Sequence, residues 1–235
     1  MVTKNQIKLV TSLQQKKYRT KHGLFVVEGK KTVNELLEAG FKPFLLLTEN
    51  QQDDDFETVS RSELKLMSSQ TNPSGILGVF YIPEAKAIEV EDWIVAVDAV
   101  RDPGNLGTII RLCDWFGIEH LICSSDTVDC YNPKVLQATM GSIARVNVAY
   151  VDLLNYLKST ELPIYGAYMD GETVYEEKLS QKGVLVMGNE ANGISDAVSA
   201  LITKRLSIPQ FGSATTESLN VATATAILLN EIRRG

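Results

Sequence analysis

The chain has 235 residues, 44% of them hydrophobic, and a net charge of −6, which suits one large globular domain or two modest ones. No apolar run approaches the ~18 residues that suggest a membrane helix, and the N-terminus lacks the apolar core and cleavage site of a secretory signal, so a cytoplasmic protein without membrane contact is expected. Cys113, Cys123 and Cys130 show no CxxC spacing and have only His22 and His120 for company, which argues against a disulfide framework and against any metal site.

The charge is uneven. Residues 1–31 hold Lys4, Lys8, Lys16, Lys17, Arg19, Lys21, Lys30 and Lys31 against Glu28 alone, a net +7, so the rest of the chain carries −13. A solvated helix face is one reading of such a run. The near absence of interleaved acid favours the other, a surface for phosphates.

In chain order, Ile7, Val10 and Leu13 predict an amphipathic helix over 3–18. A strand follows at 25–29, then a helix over 30–40 with Gly40 as its C-cap. Strands at 44–48 and 76–82 flank a short helix at 60–69. Residues 1–83 thus form a small α/β unit, and the polar stretch 84–92, introduced by Pro83, reads as a linker. The pattern then restarts, with strands at 93–100, 119–124, 145–151, 163–169 and 184–188. Helices are predicted at 104–117, 133–141 and 152–159, and a long one closes the chain at 218–234. This alternation predicts a mostly parallel sheet covered by helices over residues 93–235.

Several familiar signatures fail. Five residues separate Gly23 from Gly29, and Lys31 follows Lys30, so GLFVVEGKKT is not a P-loop. No GxGxxG follows a strand and no GxSxG is present. Three glycine-containing or polar loops at the ends of strands remain. The first is DPGNLGTIIR (102–111), where Arg111 shares a helical stripe with Gly104 and Gly107. The second is VMGNEANGIS (186–195), whose local reading is a turn with positive φ at Asn192 and Gly193. The third runs from Ile208-Pro209-Gln210 through FGSATTE to SLNVATATAILLNE (218–231), where Ser218 reads as a helix N-cap.

Together and in this order, the three segments resemble the motifs of the SpoU (TrmH) family of RNA 2′-O-methyltransferases, within the SPOUT superfamily. LFVVEGKKTVNEL (24–36) is similar to the opening of the substrate-binding domain that often precedes that catalytic domain. The stretch from Ile208 to Ser218 is longer than the family pattern. The resemblance implies an α/β protein with a trefoil-knotted catalytic domain, preceded by a small domain like ribosomal protein L30e. It further implies a homodimer with the active site near its interface, and S-adenosylmethionine as cofactor. Carried onto matching positions, Gly188, Ile208 and Leu219, with Met187 and Asn189 beside them, are expected to hold the cofactor. Arg111 is the expected catalytic residue, with Asn105, Glu190, Ser218 and Asn220 shaping the site. A guanidinium is always protonated, so Arg111 reads as a phosphate clamp and alkoxide stabiliser, with the proton passing to phosphate or water. Lys16, Lys17, Arg19, Lys21 and Lys30 are the expected RNA contacts. Ribosomal RNA is the first choice of substrate and transfer RNA the second. A non-catalytic, ribosome-associated RNA-binding protein is the contrasting function.

Overall fold

The computed structural model describes residues 2–50, 55–84, 86–212 and 218–234, and divides into two compact units. Ala85 of the expected linker and residues 213–217 of the third loop lie outside the described residues.

The first unit contains residues 1–84. The helix predicted over 3–18 is two helices, α1 (Lys4–Ser12) and α2 (Lys16–His22). The break is held by a side chain the periodicity does not reveal: Arg19 Nη1 donates to the carbonyls of Leu13 and Gln14, at 2.9 and 3.1 Å. These orphan carbonyls need a partner once the helix stops, while Leu13 itself is fully buried. Then come β1 (Leu24–Glu28), α3 (Lys30–Glu38), β2 (Pro43–Thr48), the short β3 (Glu57–Thr58), α4 (Arg61–Met67) and β4 (Ile76–Tyr81). α4 starts on a reciprocal cap between Ser60 and Glu63. The sheet order is β1-β4-β2-β3, with β4 antiparallel to both neighbours. Val10, Leu13, Val26, Leu47, Leu64 and Val79 form the core on one face.

Residues 129–144 also belong to this unit, unlike the contiguous 93–235 domain expected from the sequence. They contain the helix Pro133–Thr139 (called α6 below) and a 3-10 turn at Ser142–Ala144. The excursion is held by groups that look elsewhere in the sequence. Tyr131 packs on Phe25 with ring centroids 4.6 Å apart, and Asp129 accepts Nε of Arg19 at 2.8 Å as well as its Nη2.

The second unit holds residues 85–128 and 145–235. Its elements are β5 (Ile94–Val97), α5 (Pro103–Trp115), β6 (His120–Ser124), β7 (Asn147–Val151), α7 (Leu153–Ser159), β8 (Ile164–Thr173), β9 (Val184–Met187), α8 (Asp196–Ser199), β10 (Lys204–Ser207) and α9 (Val221–Arg234). All of its strand pairs are parallel, in the order β10-β8-β9-β5-β6-β7. β5 and β9 are buried throughout, as expected of central strands with both faces covered. β10 and α8 were not legible in the sequence, being only four residues each. The order reverses at β5, with β6 on one side and β9 on the other. Such a switch point opens a crevice at the carboxyl ends of the strands.

Candidate active site

The loop after β5 is pinned before the helix starts. Ala99 adopts φ +57°, a left-handed conformation that costs a non-glycine residue ~1–2 kcal/mol. Its N–H donates to Ser124 Oγ at 2.8 Å. Ser124 in turn donates to Asp126 at 2.7 Å, and that bond, helped by Arg101, holds the exposed Asp126 carboxyl below its usual range. α5 then opens on Pro103, with Asp102 Oδ1 accepting the Asn105 N–H at 2.8 Å, a proline-first, aspartate-capped start rather than a glycine one.

The loop after β9 is a tight reversal. Asn189 and Gly193 exchange backbone hydrogen bonds at 3.1 and 3.0 Å, and Asn189 Oδ1 accepts from Ala191 and Asn192 N–H at 2.9 and 2.8 Å. Gly193 supplies the positive φ, +67°, and Asn192, expected to share it, does not. Gly188 is glycine for a different reason. A Cβ there would lie 2.5 Å from the Gly193 carbonyl oxygen and closer still to Gly193 C and Ile194 N. Asp98, buried at the end of β5, accepts the Ser195 N–H at 2.8 Å and ties this loop to the central strand.

At the third loop, Asn220 rather than Ser218 caps the closing helix, its Oδ1 accepting from Ala222 and Thr223 N–H at 2.9 and 3.2 Å. Its Nδ2 donates to Asn105 Oδ1 at 2.8 Å, and Asn105 Nδ2 donates to Glu190. The polarity of this chain is set at both ends. A carboxylate only accepts and helix N–H groups only donate, so each amide has one orientation. Three loops far apart in sequence are thereby locked together.

The second and third loops line a cavity of about 630 Å³ within the second unit, inside the ~300–1,000 Å³ range of small-molecule sites. Met187, Gly188, Asn189, Ile208 and Leu219 all line it, as do Glu190 and Ser218. Asn105 and Asn220 do not, but reach its wall through Glu190. Arg111 is not among the lining residues; it is exposed and has no hydrogen-bond or ion-pair partner among the described residues. It belongs to an exposed stripe of α5 with Gly104, Thr108 and Trp115. The sequence reading missed the wall formed by Ala167, Tyr168 and Met169 of β8. These residues look like ordinary strand, and only their position beside β9 and β10 brings them to the cavity. The Tyr168 ring is held in place, its hydroxyl bonding Ser199 Oγ at 2.7 Å and the Arg205 guanidinium lying 4.1 Å from its centroid.

The SpoU rRNA Methylase family model matches residues 92–230, which include all three loops. The chain belongs to the SpoU rRNA methylase family. An MRM3-like substrate binding domain matches residues 4–78. The 23S rRNA guanosine 2′-O-methyltransferase RlmP of Bacillus subtilis (strain 168) is 33% identical, covering 98% of this chain and 97% of that protein. Among solved structures, a protein assigned to the TrmH family of RNA methyltransferases from Porphyromonas gingivalis superposes with TM-score 0.90 at 40% identity, covering 100% and 99% of the two chains. An AdoMet-bound rRNA methyltransferase from Sinorhizobium meliloti superposes with TM-score 0.89 at 29% identity, covering 100% and 96%.

One expected RNA contact of this SpoU protein is corrected. Arg19 is only 2% exposed, and its guanidinium is occupied by Asp129 and two carbonyls. A buried cation with four of its five N–H donors engaged inside the protein offers no accessible face to an external phosphate. Lys16, Lys17, Lys21 and Lys30 are exposed. Among the described residues no group of three or more metal-ligating side chains occurs, and no helix is long and apolar enough to cross a membrane.

Proposed function

We propose that this protein transfers a methyl group from S-adenosylmethionine to a ribose 2′-OH of RNA, ribosomal RNA before transfer RNA. The observation that carries the proposal is a single cavity lined by the second and third family motifs and tied to the first by the Glu190–Asn105–Asn220 chain. The residues present suit the cofactor. Ile194, Ile208 and Leu219 give apolar walls, while the tight loops around Gly188 bring backbone polar groups close enough to read a purine edge. Met187 and Asn189 complete that wall, and Ser218 and Glu190 offer polar groups at its rim. When bound, S-adenosylmethionine supplies a methyl group on a sulfonium, a strong electrophile with a neutral leaving group.

The protein's own part is orientation, which can contribute up to ~7–11 kcal/mol of rate acceleration. Glu190 and Asn220, joined through Asn105, hold the loops in one geometry. Arg111 clamps the phosphate beside the reacting ribose and stabilises the developing alkoxide, while the proton passes to phosphate or water. Its exposed stripe, shared with Trp115 at 82% exposure, supports a homodimer in which this face approaches a second copy and Arg111 works near that interface. A knotted C-terminal segment is what membership of the SpoU family implies, and the return of Asn220 to Asn105 at the start of α5 fits it. Residues 1–84 together with 129–144 act as an L30e-like substrate-binding unit, with Lys16, Lys17, Lys21 and Lys30 as phosphate contacts, and 85–128 with 145–235 as the catalytic part.

The test is incubation with methyl-labelled S-adenosylmethionine and separate ribosomal and transfer RNA, with the product nucleotide identified by mass spectrometry. A 2′-O-methylated ribosomal nucleotide is expected. Label on a base, label on transfer RNA alone, or no transfer would overturn the proposal.

A further inference from the structure

The first unit carries an exposed aromatic pair that its core does not use. Phe44 and Tyr81 are 43% and 39% exposed, and their rings meet edge to face with centroids 5.8 Å apart. The pair is built by an irregularity. Pro43 pairs with Phe80 and Leu45 with Val79, so Phe44 is an extra residue in β2 with no partner on β4. A bulge of this kind re-aims one side chain, and here it turns a phenyl ring toward Tyr81 instead of into the core. Lys42 adds a cation, its Nζ 5.3 Å from the Tyr81 ring centroid, and no carboxylate pairs with it among the described residues. Tyr81 is also the register partner of Leu24, and Ile82 N–H donates to Gly23 O at 2.8 Å. Gly23 ends α2, so the platform adjoins the end of the helix bearing Lys17, Lys21 and His22.

We propose that Phe44 and Tyr81 form a stacking platform for an unpaired RNA base, with Lys42 and the α2 lysines engaging its flanking phosphates. The proposal rests on the RNA-binding reading above and narrows it to single-stranded or looped segments. An exposed π-face beside cations suits bases that are splayed out, since a paired base within a duplex offers no free face.

The test uses the full chain, a short mixed-sequence single-stranded oligoribonucleotide carrying 2-aminopurine, and a perfectly paired duplex of the same sequence. Wild type is expected to bind the single strand with quenching of 2-aminopurine. Phe44→Ala should weaken single-strand binding by about 5- to 150-fold, the usual effect of losing one base–aromatic stack, and abolish the quenching. Tyr81→Phe should preserve both, because the π-face remains. Lys42→Ala should lower the salt dependence of binding, whereas Phe44→Ala should not. Should Phe44→Ala fail to fold, Phe44→Leu keeps apolar bulk without the ring and should lose the quenching equally. Equal affinity and quenching in wild type and variants would overturn the platform, as would equal weakening on single strand and duplex. A change in sedimentation without a change in RNA affinity would mean that another protein chain covers the pair, and would also overturn it. A wild type that binds neither RNA would instead bring down the RNA reading beneath it.

Discussion

Replacing Arg19 by methionine separates a structural cation from a substrate-binding one. The guanidinium is nearly fully buried, with four donor contacts: two to Asp129, one to Leu13 O and one to Gln14 O. Methionine keeps much of the volume but leaves the Asp129 carboxylate, 15% exposed, without its partner. Breaking a buried pair in this way costs ~3–5 kcal/mol. The first unit comprises residues 1–84 and 129–144, about 100 residues, a size at which each kcal/mol moves the midpoint by ~4–8 °C. The unfolding transition of that unit, followed by circular dichroism, should therefore fall by about 12 °C or more at the lower end of both ranges. Arg19→Lys should fall between, since an ammonium cannot reproduce the fork. By contrast, reversing Lys16, Lys17 and Lys21 to glutamate should leave the midpoint nearly unchanged. It should weaken RNA binding and flatten its log–log salt slope by about 2, at ~0.7 per phosphate contact on single strands. If Arg19→Met shifted the midpoint by less than about 2 °C yet weakened RNA binding like the lysine variants, the structural role argued for Arg19 would be wrong.

Gly188→Ala should lower S-adenosylhomocysteine affinity by at least about tenfold in calorimetry, equivalent to ~1.4 kcal/mol, because its Cβ meets the Gly193–Ile194 backbone. Normal affinity in that variant would show that the close approach is dispensable. Arg111→Ala should leave cofactor affinity within about twofold while turnover at saturating cofactor falls by ~10²–10³-fold, as for loss of one stabilising charge in the transition state. The reverse pattern would move Arg111 to the cofactor side. A fragment of residues 94–235 should bind a hydrophobic dye and aggregate, because α6, whose Val135 and Leu136 are buried, packs against β1 in the intact chain. Replacing 129–144 in that fragment by a short glycine–serine linker should restore a monodisperse, cofactor-binding protein. A well-behaved 94–235 fragment without dye binding would contradict the assignment of α6 to the first unit.

The sequence by itself determined the parts of this protein that depend on local pattern. The alternation of apolar strands and amphipathic helices is a matter of neighbouring residues, so the parallel sheet of the second unit was legible. So were the three loops, because their glycines, asparagines and caps act within a few residues of one another. Gly188, Ile208 and Leu219 were marked within those loops by the resemblance to the family's motifs, not by local pattern, and all three line the cavity. Tertiary structure alone decided which polar side chains have partners. Asn105 meets Glu190 across 85 residues and Asn220 across 115, separations over which periodicity carries no information. The same limit misled the reading of Arg19, whose place in a basic run resembles a phosphate contact until Asp129, 110 residues on, closes over it. The return of 129–144 to the first unit, the β8 wall at Ala167–Met169 and the bulge at Phe44 belong to the same class. Each depends on which strand becomes a neighbour and in what register, and that choice is made by packing the whole chain, not by any window of it.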